Sequence, residues 1–273
     1  MGEIVLSAGV RSNLLQLQKT AELITATQTK LATGKRVNTA LDNPINYFTA
    51  QGLSNRAGDL SNLLDSMSTG VNTIQAANNG ITAITKLVQS AQALASQAQQ
   101  TSDTTIRASL ATQFDAIRSQ IDQLAHDAGF NGINLLDSAT SANLTVTLNE
   151  NGSSSVTINA VDFSATGLNI NASANSWATP ADISTASADL TAALTTLRSQ
   201  SQAFGSNLST VQVRQDFTKA MINTLQTGAD SLTLADSNEE GANLLALQTR
   251  QQLSTTALSL ASQASQAVLR LFQ

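Results

Sequence analysis

The most informative part of the chain is residues 60–98, which read LSNLLDSMSTGVNTIQAANNGITAITKLVQSAQALASQA. Small and apolar residues recur there at alternating steps of three and four, a spacing that places them on one face of a helix. These positions are Leu60, Leu63, Met67, Gly70, Ile74, Ala77, Ile81, Ile84, Val88, Ala91, Ala95 and Ala98. Because the pattern continues for more than five heptads, it predicts a coiled-coil helix. A helix over residues 57–99 would extend roughly 65 Å at about 1.5 Å per residue.

Both ends of the chain carry the same spacing. The N-terminal stripe consists of Val10, Leu14, Leu17, Ala21, Ile24, Gln28 and Leu31. The C-terminal stripe consists of Leu253, Ala257, Leu260, Ala264, Ala267 and Leu271. Since one amphipathic helix cannot bury its apolar stripe alone, we expect the two terminal helices to pair through these stripes. Apolar residues beside the stripes, such as Leu15 and Leu258, leave surplus apolar surface, which favours polymerisation.

Two further helices lie between the ends. Asp103 is a candidate N-cap for one of them, and Pro180 is a candidate first residue for the other. The second helix loses strict register near residues 214–217, where we expect a stutter or a short break. Residues 33–44 predict a non-helical connector, because a glycine, polar residues and a proline interrupt the helical pattern there. The connector residues of interest are Gly34, Lys35, Arg36, Asn38 and Asp42.

The middle of the chain has a different pattern. Residues 144–148 and 156–161 alternate β-branched and polar residues on either side of Asn151-Gly152, which predicts a β-hairpin. The predicted fold is therefore mainly α: a long antiparallel helical bundle or coiled coil with paired terminal helices and a small β-hairpin insertion. We expect a terminal coiled-coil domain of residues 1–44 plus 232–273, a helical rod domain of residues 45–140 plus 180–231, and a short insertion of residues 141–179 within the rod.

The composition excludes several kinds of function. The 273 residues include no Cys and a single His, His126, which rules out a thiolate zinc site and a two-histidine metal motif within one chain. The net charge of −5 lacks the basic footprint of a nucleic-acid-binding protein. The sequence also shows neither a membrane span nor the basic-then-apolar order of a cleaved signal peptide. We therefore expect no enzyme activity, cofactor, metal, nucleic-acid partner or membrane insertion.

Three groups remain as candidates for chemistry. His126 lies near a predicted helix end, where a solvated side chain explains it better than a general base does. Glu239 and Glu240 are adjacent on a helix and do not face each other, so they do not predict a shared proton. The basic pair Lys35-Arg36 is weak evidence for a phosphate site, and we expect it to make salt bridges between subunits.

Several stretches of the sequence resemble bacterial flagellin. Residues 33–43, TGKRVNTALDN, resemble the family's SGxRINSAxDD. Residues 248–252 and 258–272 are similar to the family's C-terminal ending. The family motif FNGxxLL is matched by Phe130, Asn131, Gly132, Leu135 and Leu136, which fall in the rod domain. The resemblance covers about residues 1–136 and 180–273, and it is to the short flagellins that lack large outer variable domains.

The resemblance implies a structural subunit of the extracellular flagellar filament, a helical polymer used for swimming. It implies that the terminal stripes form the subunit-assembly seam, namely Val10, Leu14, Leu17, Ile24 and Leu31 with Leu253, Ala257, Leu260, Ala264 and Leu271. It also implies export through the flagellar type III apparatus with a secretion chaperone, growth under the flagellar cap, and contact with hook-junction proteins.

One stretch departs from the family. Flagellins that the flagellin-sensing Toll-like receptor recognises resemble each other in the stretch QRVRELAxQ. The corresponding residues here are Gln89, Ser90, Ala91, Gln92, Ala93 and Leu94, followed by Ala95, Ser96 and Gln97. Both Arg positions and the Glu are replaced, and serine and glutamine cannot make the bidentate contacts of arginine. We therefore expect weak or absent receptor signalling.

Two alternatives of other kinds stay open at this stage. A hook–filament junction protein has similar terminal helices but would form a short ring. A surface-displayed flagellin homologue that binds polysaccharide would need aromatic platforms, and Trp177 is the single tryptophan in the sequence.

Overall fold

The computed structural model describes residues 8–271, apart from the side chains at positions 8, 265 and 268–271. Most of the described chain is helical: α1 (Ala8–Thr33), α2 (Pro44–Gln100), α3 (Thr104–Asp127), α4 (Pro180–Thr233) and α5 (Ser237–Leu271). Two short strands, β1 (Leu144–Thr147) and β2 (Ser155–Ile158), pair antiparallel, with Leu144 opposite Ile158. A 3₁₀ turn covers Ala174–Trp177. The predicted mainly α fold with a small β-hairpin is confirmed.

The chain divides into two compact units. The terminal unit contains the residues up to Asn55 together with those from Thr224 onward, and the central unit is Arg56–Asn223. The sequence places the corresponding boundaries at residues 44 and 232 and separates the hairpin as a third piece. That three-part division stays a prediction. None of the described helices is both long enough and apolar enough to cross a membrane.

The heptad pattern of residues 60–98 forms the α2 side of the central core. Each predicted position is buried except Leu63, which is half-buried. Polar contacts join α2 to α4 in opposite order along the two helices, from Gln92–Thr191 through Asn78–Ser201 to Ser68–Gln215. The two helices therefore run antiparallel in this unit. Side chains from α3, the hairpin and the segment before α4 complete the same core.

Gly70, the one position that interrupts the apolar seam of α2, is required by the hairpin. A Cβ atom built on Gly70 would lie 2.6 Å from Cγ2 of Val146 on β1. Val146 is itself buried, so it has little room to move away. The missing side chain thus lets the hairpin pack directly on the helix.

The predicted helix starts are confirmed. Oδ1 of Asp103 accepts hydrogen bonds from the backbone N–H groups of Thr105 and Ile106, at 2.8 and 3.3 Å. At the start of α4, Thr179 and Asp182 bond to each other's backbone N–H groups, the reciprocal pattern of a capping box. These side chains satisfy N–H groups that have no partner within the helix.

The predicted stutter in α4 near residues 214–217 is wrong. The helix is continuous over Pro180–Thr233, and its inward positions keep alternating steps of three and four. The run is Phe204, Leu208, Val211, Gln215, Thr218, Ile222, Leu225 and Ala229. The apolar pattern is interrupted there because two polar residues, Gln215 and Thr218, occupy inward positions of the helix.

Polar side chains of α3 hold the segment that leads into α4. Arg107, although 92% buried, donates to the carbonyl oxygens of Ala98, Thr101 and Ala178. Asp115 accepts from both the backbone N–H and the hydroxyl of Ser173. Arg107 thereby satisfies carbonyl groups at the C-terminal end of α2 that have no helical partner.

Candidate assembly surface on the terminal helices

Helices α1 and α5 pack against each other in the terminal unit. The end of α1 lies beside the start of α5, where Nζ of Lys30 is 2.9 Å from Oε1 of Glu240, so the helices run antiparallel. The inward positions of α1 follow steps of three and four through Val10, Asn13, Leu17, Thr20, Ile24, Thr27 and Leu31. The predicted pairing of the terminal helices is confirmed.

The face that pairs is partly different from the predicted one. On α1, Val10, Leu17, Ile24 and Leu31 point inward as expected, but Leu14 is 39% exposed. On α5 the inward positions are Leu244, Leu247, Gln251, Ser254, Leu258 and Ala261. The predicted stripe of Leu253, Ala257, Leu260 and Ala264 is exposed instead, and the side chain of Leu271 lies outside the described residues. The expectation that this stripe packs on α1 is therefore wrong.

The two helices keep large apolar side chains on their outer surfaces. These residues, which we call the outer stripe, are Leu14, Leu15 and Leu23 of α1 with Leu245, Leu253 and Leu260 of α5. Leu253 and Leu260 are 67% and 61% exposed. These exposed apolar side chains are a candidate interaction surface.

The connector ties the end of α1 to the segment between α4 and α5. The backbone N–H of Arg36 donates to the carbonyl of Thr233 at 2.8 Å, and Lys35 forms a β-bridge with Leu234. The guanidinium of Arg36 donates to the carbonyl oxygens of Ser231 and Leu232. Arg36 therefore caps the C-terminal end of α4, where a positive charge is favourable. Sequence analysis missed this role within the chain.

The other connector residues close a local turn. Oδ2 of Asp42 accepts from the backbone N–H groups of Asn38 and Thr39, at 2.9 and 2.8 Å. These backbone hydrogen bonds hold the pKa of Asp42 below its ordinary value. Gly34 contributes its carbonyl, which accepts from the N–H of Ala235.

The FNGxxLL residues form a turn that closes the end of α3. Asn131 and Gly132 both have positive φ angles, 49° and 80°, and Phe130 and Ile133 exchange backbone hydrogen bonds across them. Leu135 and Leu136 are fully buried in the central core. This geometry makes the motif a structural element of the central unit.

Asn134, one of the two unspecified positions of FNGxxLL, is the polar centre of the turn. Its Nδ2 donates to the carbonyl oxygens of Ala125 and His126, each at 2.8 Å. Its Oδ1 accepts from the N–H of Leu136 at 2.9 Å. Sequence analysis did not single out this residue.

The candidates for chemistry have structural partners. Nδ1 of His126 lies 2.9 Å from Oδ2 of Asp137, and the imidazole is largely exposed. A hydrogen bond from the Thr140 hydroxyl, followed in size by the one from His126, lowers the pKa of Asp137.

Trp177 is fully buried beside Phe114, so it cannot serve as an exposed platform for sugars.

The stretch that departs from the receptor-recognised pattern lies on α2. Gln89, Ser90 and Ala93 are exposed, whereas Gln92 and Leu94 are half-buried. Nε2 of Gln92 donates to Oγ1 of Thr191 at 3.4 Å.

Comparison with known proteins agrees with this architecture. Residues 8–141 match the family model for the bacterial flagellin N-terminal helical region, and residues 183–272 match the model for the C-terminal helical region. Flagellin FljM and Flagellin FljK of Caulobacter vibrioides are each 31% identical over 274 residues, covering 100% of this chain and 99% of theirs. The chain belongs to the bacterial flagellins.

More distant flagellins are also similar. One from Brucella melitensis is 26% identical over the full length of both chains. A crystal structure of Bacillus cereus flagellin aligns with a TM-score of 0.49 and 21% identity, over 57% of this chain and 88% of that one. Flagellins are structural proteins of the extracellular flagellar filament, and this flagellin is a structural subunit of that filament. The hook–filament junction and polysaccharide-binding alternatives are not favoured.

Proposed function

We propose that this flagellin assembles through the outer stripe, while the inner faces of α1 and α5 hold the terminal unit together. The observation that carries the proposal is the exposure of Leu253, Ala257 and Leu260 on α5, on a different side of the helix from the positions that pack on α1. A subunit of an open helical polymer needs surfaces that stay uncovered in the single chain. Burying each large leucine side chain at a subunit contact would contribute about 1.5–3 kcal/mol.

The polar residues interspersed on the inner face support the same division of roles. Thr20 is almost fully buried, and its hydroxyl donates to the carbonyl of Gln16 at 2.8 Å. Gln251 and Ser254 occupy inward positions on α5. Because these side chains bury less apolar area than leucine would, the pairing of α1 and α5 is expected to be only moderately stable alone. Contacts with neighbouring subunits would then supply much of the stability of the terminal helices.

The outer stripe would also need to be covered before the subunit reaches the filament. We propose that the chain is exported through the flagellar type III apparatus and that a secretion chaperone covers Leu245, Leu253 and Leu260 until export. Growth under the flagellar cap and attachment to hook-junction proteins complete the proposed route. Covering this stripe would prevent premature polymerisation, because the same leucines are proposed to meet neighbouring subunits.

A cysteine probe tests the outer stripe directly, since the sequence contains no cysteine. Leu260→Cys places one thiol on the stripe, and Thr112→Cys places one on an exposed position of α3 in the central unit. We expect a maleimide to label both thiols at similar rates in the monomer. In filaments, labelling of Leu260→Cys should slow by at least about tenfold, as for a buried thiol, while Thr112→Cys stays reactive. Equal labelling of Leu260→Cys in monomers and filaments would contradict the proposal.

A further inference from the structure

A basic groove lies on the central unit between α2 and α4. Its floor contains the buried side chains of Ile81 and Leu197, and its rim carries the exposed cations Lys86 and Arg198. The other lining residues are Thr82, Thr85, Gln89, Ser201 and Gln202, so none of the described carboxylates lines the groove. The volume of the groove is about 490 Å³.

The two cations have no acidic partner in the described part of the chain. The ion pairs found between residues 8 and 271 involve Lys30, Arg56, His126 and Lys219 as the basic members. Neither Lys86 nor Arg198 belongs to any of them. Lys86 and Arg198 therefore give the groove a local positive charge in a protein whose net charge is −5.

An acidic surface lies elsewhere on the same unit, where α2 meets the hairpin. Asp59 of α2 and Glu150 of the hairpin turn border it, together with neutral residues such as Asn62 and Gly152. Glu150 is paired with Arg56, whose Nε lies 2.6 Å from its Oε1. Asp59 is exposed and makes no ion pair within the described residues, so this surface carries a net negative charge.

The two surfaces cannot neutralise each other within one chain. Asp59 and Lys86 both lie on α2 but are 27 residues apart in sequence, which corresponds to about 40 Å of helix. Charges interact over a screening length of only about 8 Å at physiological ionic strength. The two surfaces of one chain therefore stay available to partners outside it, and a second copy offers the complementary charge to each.

We propose that, in the filament, the acidic surface of one copy docks on the basic groove of a second copy, so that Asp59 meets Arg198 and Lys86 of its neighbour. An open helical polymer is built from heterologous contacts, in which two different surfaces of the same chain must be complementary. These surfaces fit that requirement in charge. The inference rests on filament assembly, and it concerns a contact separate from the outer stripe of the terminal helices.

Charge reversal in pairs tests the docking. Arg198→Glu reverses one charge in the groove, and Arg214→Glu makes the same change at an exposed position of α4 outside it. We expect Arg198→Glu to raise the critical concentration for seeded elongation about tenfold, as for loss of a complementary charge pair, and Arg214→Glu to change it by less than about twofold. Asp59→Arg combined with Arg198→Glu should return the value to within about threefold of wild type.

Each outcome has a definite meaning. Equal increases in critical concentration for Arg198→Glu and Arg214→Glu would overturn the docking. It would also be overturned if Asp59→Arg did not rescue Arg198→Glu in a double variant that circular dichroism shows to be folded. Higher salt should reduce the difference in critical concentration between wild type and Arg198→Glu, because salt screens the proposed electrostatic contact. Failure of the wild-type chain itself to elongate would instead contradict the filament function, so the two failures are distinguishable.

Discussion

Leu258 and Leu260 lie on different sides of α5, although only one residue separates them. Leu258 is half-buried on the side that packs on α1, whereas Leu260 is 61% exposed. Successive residues of a helix are rotated by about 100°, so positions two apart point in nearly opposite directions. One helix thus packs one face within the subunit and leaves the other exposed, which is the face that we propose for contact with a neighbour.

The turn around Asn134 should contribute strongly to the stability of the central unit. Asn134→Ala removes three hydrogen bonds to backbone groups, two of them at the C-terminal end of α3. Because these groups are at least partly buried, we expect the free energy of unfolding to fall by about 2–3 kcal/mol, measured by urea denaturation of the monomer. Asn79→Ala, at an exposed position of α2, is the matched control and should change it by less than about 0.5 kcal/mol. Equal losses in the two variants would refute the role of Asn134.

Packing of the hairpin on α2 predicts a coupling between Gly70 and Val146. Gly70→Ala should destabilise the protein by about 1–3 kcal/mol, since the new methyl group would overlap the Val146 side chain. In a Val146→Ala background the overlap is relieved, and the same change should become neutral or stabilising by up to about 1 kcal/mol through helix propensity. A double-mutant cycle measures this coupling. Additive effects would show that the hairpin does not pack there.

Asp137 should make the stability of the central unit sensitive to acid. Hydrogen bonds from Thr140 and His126 lower its pKa from the ordinary value of 3.8. A lowered pKa in the folded state means that the stabilisation is complete above about pH 5 and is lost as the pH falls below 4 and through the lowered pKa. Asp137→Asn should therefore show a shallower fall of Tm with decreasing pH in that range. An unchanged pH profile would exclude this contribution.

The altered stretch on α2 predicts weak activation of the flagellin-sensing Toll-like receptor. Combined Ser90→Arg, Gln92→Arg and Ala93→Glu substitutions restore the charged positions of the recognised pattern on a continuous helix. We expect reporter cells to respond more than about tenfold more strongly to this variant than to wild type, because arginine makes the bidentate contacts that serine and glutamine cannot. A strong response to the wild-type chain would contradict the prediction.

The central unit was the most predictable part of the fold. The apolar seam from Leu60 to Ala98, the cap at Asp103, the helix start at Pro180 and the hairpin around Gly152 are all found in the structure. Each depends on local spacing or on one residue with a strong conformational preference. Such signals depend only on residues that are close together in the sequence.

The terminal face was harder to predict because polar residues occupy its inner positions. Thr20, Thr27, Gln251 and Ser254 face inward, while leucines such as Leu253 face outward. A pattern that counts only apolar residues therefore selects the outer stripe of α5 as the intramolecular seam. Two apolar faces in one helix can be separated only when the partner of each is known, and one of these partners belongs to a neighbouring subunit in our account.

Contacts between residues that are distant in sequence and share no pattern were also missed. Arg36 caps α4 by bonding to carbonyl groups of Ser231 and Leu232, almost 200 residues further along the chain. Backbone carbonyl groups are present at every residue, so the sequence does not indicate which of them an arginine will reach.

Electron microscopy of seeded polymerisation tests the central claim most directly. Wild type, Leu260→Asp and the control Thr112→Asp, which adds the same charge at an exposed site of α3, would each be mixed with wild-type filament fragments. Circular dichroism would first show that all three monomers are largely helical. We predict long uniform filaments from wild type and Thr112→Asp and no elongation by Leu260→Asp. Filaments of normal length from Leu260→Asp would contradict assembly through the outer stripe.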